Sequence, residues 1–108
     1  MVDQPVVESV KRYLEQLLNE GLKIDFGVIF GSYACGKADV FSDIDVLLVS
    51  TEFDKPIPRK TISQMWRIAA RIDSRIEPVP CGLKKWETDV TNVLIDTART
   101  SGQMVSAA

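Results

Sequence analysis

The chain has 108 residues, 45% hydrophobic and 26% charged, with a formal net charge of −2 and a sequence pI near 5.1. That length predicts one domain spanning residues 1–108 with a core of its own, and the acidic balance disfavours a partner that is a long nucleic acid. No stretch reads as a signal peptide or a membrane span, so a cytoplasmic location is expected, while two cysteines and no histidine exclude a disulfide framework, His-based zinc sites and Ser-His or Cys-His nucleophiles.

Residues 5–20 predict an amphipathic helix. Val6, Val7, Val10, Leu14, Leu17 and Leu18 recur at three- and four-residue steps. Pro5 suits its first turn, and Gly21 the position just past its end. Residues 24–30 (IDFGVIF) predict a first strand, apolar on both faces towards its end and so buried between layers. A loop of small residues follows, and residues 46–49 predict a second strand. Pro56 and Pro58 make residues 51–59 a linker. Residues 61–73 predict a second helix, with Ile62, Met65, Trp66, Ala69 and Ile72 facing inward. Arg67 and Arg71 fall on one row of it, as a solvated face or a basic stripe. Residues 75–79 (RIEPV) predict the third strand, with Cys81 after it as a small packing residue. Residues 82–87 read as a turn. Residues 88–100 predict the last helix, capped by Thr88, stopped by Gly102, and burying Val90, Val93, Leu94 and Ala98. Residues 103–108 form a tail with no readable chemistry.

The chemistry concentrates in residues 31–45, GSYACGKADVFSDID. Alternation along a strand puts Asp43 and Asp45 on one face and Ile44 on the other, with Cα atoms about 6.6–6.8 Å apart. Two carboxylates so placed can share divalent cations. At the other end, Gly31 lets the backbone approach a ligand. The turn's N–H groups and the Ser32 hydroxyl form an anion cradle, strengthened if a short helix starts there. A phosphate cradle beside paired carboxylates suits metal-assisted phosphoryl or nucleotidyl transfer. The bland reading is a hairpin with an acidic turn. Lys37 reads equally as a charge reaching a triphosphate or as an exposed loop lysine. Ser42 is placed to orient a carboxylate. Glu77, between Ile76 and Pro78, is costly in an apolar strand unless paired or metal-bound. Its alternatives are a site carboxylate or a salt bridge to Arg75.

The pattern Gly-Ser, ten residues, Asp-x-Asp resembles the signature of the minimal nucleotidyltransferases, small members of the DNA polymerase β-like superfamily. The resemblance implies an α+β, two-layer fold: a mixed sheet of three to four strands with helices on one face. It implies Gly31, Ser32 and Lys37 as nucleotide-binding residues. It implies Asp43, Asp45 and Glu77 as catalytic residues and ligands of two Mg²⁺ ions, with ATP as the donor of AMP. Glu77 matches the family's third carboxylate, which often stands before a proline as it does here. Cys35 departs from the pattern, since the family usually carries arginine at that place.

The resemblance also implies a partner. Such proteins commonly pair, as antitoxins, with small helical HEPN toxins, and adenylylate a tyrosine on them. The first expectation is therefore a protein adenylyltransferase acting on a HEPN-type toxin. The second is a non-catalytic subunit of the same fold that restrains its partner by binding. The acceptor, the preferred base and self-association into a homo-oligomer stay open.

Overall fold

The computed structural model describes residues 2–39 and 41–107. Met1, Val40 and Ala108, within the loop and tail read above, lie outside the described residues.

Helix α1 (Gln4–Asn19) starts with Pro5 in its first turn and buries Val6, Val10, Tyr13, Leu14 and Leu17. Its end is a Schellman turn. The Leu22 N–H reaches the Leu17 carbonyl and the Gly21 N–H the Leu18 carbonyl, both at 3.0 Å, and Gly21 takes the required positive φ of 91°. Strand β1 (Phe26–Phe30) leads to a single 3₁₀ turn, Gly31–Tyr33, and then a loop. Strand β2 (Ile44–Ser50), a second 3₁₀ turn and helix α2 (Arg59–Ile72) follow. The sheet is completed by β3 (Ile76–Gly82) and β4 (Gln103–Val105), with helices α3 (Leu83–Thr88) and α4 (Val93–Ser101) between them.

The four strands lie in the order β3-β2-β1-β4. β1 runs antiparallel to both β2 and β4, and β2 runs parallel to β3. The result is a mixed sheet in an α+β fold, as expected. β3 is an edge strand, which explains how it accommodates Pro78 and Pro80. At alternate positions of an edge, the missing N–H groups fall on the solvent side.

One expectation fails: helices do not stop at one face. Ile29, Ile44, Val46 and Leu48 pack with α1 and α2, whereas Val28, Phe30, Leu47 and Val49 pack with Ile95 and Ala98 of α4. Strands apolar on both faces need two covers. Phe26 and Trp86 add an edge-to-face ring pair at 5.6 Å on the second side.

The C-terminal third also differs from the sequence reading. The predicted turn is helix α3, and Thr88 closes it by donating to the Lys84 carbonyl rather than capping the next helix. Asn92 is the cap of α4, accepting from the N–H groups of Leu94 and Ile95. Starting there rotates the buried face. Ile95 and Ala98 are buried, while Val90 and Val93 are 77% and 79% exposed. In α2 the inward row is Met65, Ile68 and Ala69, which leaves Trp66 half exposed. The tail forms β4, with Val105 opposite Gly27 and Gln103 opposite Ile29.

Gly102 makes β4 possible. A Cβ there would strike the Ala98 and Ile29 carbonyls and the Val28 side chain. Its φ of −81° is ordinary, so the requirement is space rather than backbone freedom. Gly102→Ala is expected to lower stability by about 1–3 kcal/mol through overpacking against backbone. Urea melts of the two proteins check this, and an unchanged midpoint would mean that β4 shifts freely.

Candidate functional site

Phe30 ends β1 in extended conformation, and the chain then turns at Gly31 with φ of 74°. The Gly31 carbonyl accepts from the N–H groups of Ala34 (3.1 Å) and Cys35 (3.2 Å), and the Ser32 carbonyl accepts from Lys37 at 3.0 Å. The 3₁₀ segment has only three residues, so aligned peptide dipoles add little to any anion attraction. The cradle is a turn rather than a helix start.

Gly31 is required twice. Its φ is one that L side chains rarely adopt, and a Cβ would overlap an oxygen of the Asp45 carboxylate. The turn and that carboxylate are therefore packed directly on each other.

The sheet brings the other acidic groups to the same place. Asp45 is in register with Phe30 on one side and Glu77 on the other. Side chains in register share a face, so Glu77 stands beside Asp45. Asp43 lies two residues earlier, outside the strand and exposed. Burial pushes the Asp45 carboxyl up, a hydrogen bond with Glu77 pulls it down, and the charge of Asp43 pushes it up. Burial also pushes the Glu77 carboxyl up, followed by the charges of Asp43 and Asp45 and hydrogen bonds with both. In both groups burial and acidic neighbours disfavour the ionised form.

Among the described residues, no group of three or more His, Cys, Asp or Glu side chains is closed enough to hold a metal ion outright. The donor set is nevertheless all-oxygen, mutually repelling and within hydrogen-bond reach. That chemistry fits a hard divalent cation, whose charge would offset the repulsion.

Arg75 does not pair with Glu77. It grips Asp73 instead, with Nε to Oδ1 at 3.0 Å and a terminal nitrogen to Oδ2 at 2.8 Å. Ser42 orients a carboxylate, but that of Asp39: its hydroxyl accepts the Asp39 N–H at 2.9 Å and lies 3.4 Å from Asp39 Oδ1. Lys37 and Cys35 are exposed in the loop, and Cys35 Sγ lies 3.6 Å from the Ser32 carbonyl oxygen. Arg71 meets Glu20 at 3.0 Å on the surface, away from the loop. The sequence reading passed over Tyr33 and Asp39. A signal was present, since Asp39 accepts the N–H of Phe41, two residues on, as aspartates in turns commonly do.

Comparison with known proteins bears on the family and the fold. No curated protein sequence matches the chain significantly. Several solved structures share the fold. A candidate nucleotidyltransferase from Sulfolobus solfataricus is 20% identical, with a TM-score of 0.58 over 77% of this chain and 72% of its own. A toxin–antitoxin structure with AMP-PNP is 19% identical, with a TM-score of 0.62 over 91% and 73%. A toxin–antitoxin MntA-HpeT mutant, with two aspartates changed to glutamate, is 17% identical, with a TM-score of 0.62 over 94% and 73%. The sequence pattern of the family described as "Polymerase beta, Nucleotidyltransferase" matches residues 12–106. With nearly the whole chain matched, the protein belongs to the polymerase beta nucleotidyltransferase family.

Proposed function

We propose that this chain is a Mg²⁺-dependent nucleotidyltransferase that moves AMP from ATP to a tyrosine hydroxyl of a HEPN-type toxin, and so acts as its antitoxin. The observation that carries the reading is the Asp45 carboxylate packed on the Gly31 turn, with Glu77 and Asp43 coupled to it. Family membership supports the nucleotidyl half. The toxin–antitoxin neighbours, one with AMP-PNP, support ATP and a toxin partner. The aspartates altered in the other stand two positions apart, like Asp43 and Asp45.

In this reading Gly31 and Ser32 hold the triphosphate, and Lys37 reaches it as a point charge. Asp43, Asp45 and Glu77 would hold two Mg²⁺ ions, which supply charge neutralisation to the phosphates. The acceptor oxygen bonds to the α-phosphorus while the bond to the bridging oxygen breaks, and pyrophosphate leaves with that electron pair. Glu77 either completes the second of these metal sites or takes the acceptor's proton. The acceptor is expected from another chain. A second reading is a subunit that restrains its partner by binding alone. It is favoured by Cys35 in the arginine position and by the lack of a closed ligand cluster among the described residues.

Incubation with the partner, ATP and Mg²⁺ is expected to add AMP to a partner tyrosine, read by mass spectrometry. Asp43→Asn and Asp45→Asn should each lower the rate more than about a hundredfold, since ligands for several kcal/mol of charge stabilisation are lost. A partner that is bound and inhibited yet unmodified would establish the second reading instead. Gly31→Ala forces strain of about 1–3 kcal/mol into the turn and displaces Asp45. It should abolish AMP-PNP binding in calorimetry while the chain stays folded by circular dichroism.

The carboxylates also set a pH dependence in metal-free protein. The folded-state pKa values of Asp45 and Glu77 are raised. Their stabilising contribution is therefore present at acid pH and lost as pH rises through those values. Asp45→Asn should melt above wild type in EDTA at neutral pH, and the gap should close on acidification or on adding Mg²⁺ to wild type. A variant that melts lower under all three conditions would make Asp45 a structural residue.

A further inference from the structure

The loop between β1 and β2 carries the phosphate turn at one end and the aspartates at the other, with little regular structure between them. What shapes it is a hydrogen-bonded relay from the start of β3. Arg75 spends Nε and one terminal nitrogen on both oxygens of Asp73. This fork fixes the guanidinium plane and balances its charge. The other terminal nitrogen then points at the Tyr33 hydroxyl, 3.0 Å away, and the guanidinium carbon lies 5.8 Å from the Tyr33 ring centroid. The hydroxyl uses its own proton on the Asp39 carbonyl at 3.2 Å. Asp39 in turn is held to Ser42, the residue before Asp43. The Arg75 carbonyl accepts from the Ile44 N–H at 2.7 Å, just past Asp43. One phenol thus ties the phosphate turn to the far end of the loop, and one arginine fixes that phenol to the sheet.

We propose that Arg75, acting through Tyr33, is the positioning residue that keeps this loop in its triphosphate-accepting shape. The inference rests on the nucleotidyl reading above and adds to it a residue that acts through Tyr33. With the charge of Arg75 satisfied by Asp73, its contribution is geometric. A loop that is ordered only part of the time binds its ligand more weakly by that fraction.

Three measurements test this on the full chain: amide hydrogen exchange by NMR, AMP-PNP affinity with Mg²⁺, and thermal stability. Tyr33→Phe deletes one oxygen and keeps the ring. It should speed exchange at Ala34, Cys35 and Lys37 by about tenfold or more, the worth of a hydrogen bond to a charged group, and leave the amides of Leu47 and Leu48 unchanged. AMP-PNP affinity should fall by a similar factor. Arg75→Lys should behave like Tyr33→Phe, because an ammonium cannot fork onto Asp73 and still direct a donor at the phenol. A merely structural salt bridge would instead speed exchange in β2 and lower the melting temperature without singling out the loop. Unchanged loop exchange in Tyr33→Phe, or faster exchange with unchanged AMP-PNP affinity, overturns the inference while the nucleotidyl reading stands. A wild-type chain that binds no AMP-PNP overturns both.

Discussion

The packing of the Asp45 carboxylate onto the Gly31 backbone is the contact on which the site depends. It requires a residue with no Cβ at a positive φ, and Gly31 satisfies both demands. In the function proposed above, a phosphate at the turn would stand beside that carboxylate. The fold brings the Asp45 and Glu77 carboxylates together beside the turn, and their repulsion is left for a cation or a proton to offset.

The electrostatics follow from that constraint. Burial acts first on both Asp45 and Glu77, and each then feels its acidic neighbours. Acidic groups held this close repel one another, and neutralising one relieves that repulsion. Arg75 stands two residues from Glu77, close enough to have quenched the cluster. Its commitment to Asp73 keeps the acidic site unneutralised.

Much of this was legible in the sequence. Gly-Ser and Asp-x-Asp at fixed separation, with Glu77 isolated among apolar residues, identify the groups that the sheet then brings together. Local patterns located α1, because its apolar stripe, Pro5 and Gly21 all agree. The failures have physical causes. Trp66 falls on the predicted inward face by its spacing, but the packing buries Ile68, two residues on, and leaves Trp66 half exposed. Val90 and Val93 read as a buried face only if the helix begins at Thr88. The Asp89 turn and the Asn92 cap start it later. Three residues of β4 carry no periodicity to detect, and the strand exists because Gly102 allows close approach to β1. The Arg75–Tyr33 contact joins residues 42 positions apart, which no local pattern records.

The aim of Asp45 is fixed by β2 as a whole. Ile44, Val46 and Leu48 serve one core, and Leu47 and Val49 the other, all of them fully buried. A slip of one residue would exchange the two sets and drive the Asp45 carboxylate into the packing of α1 and α2. An unpaired charge there is prohibitively costly. The second cover, α4, therefore has a consequence beyond burying Phe30 and Leu47. With both faces of β2 closed, the register has no freedom left. Through the parallel ladder, Glu77 is then held level with Asp45. The two cores on either side of this strand are thus what keep Asp45 and Glu77 side by side.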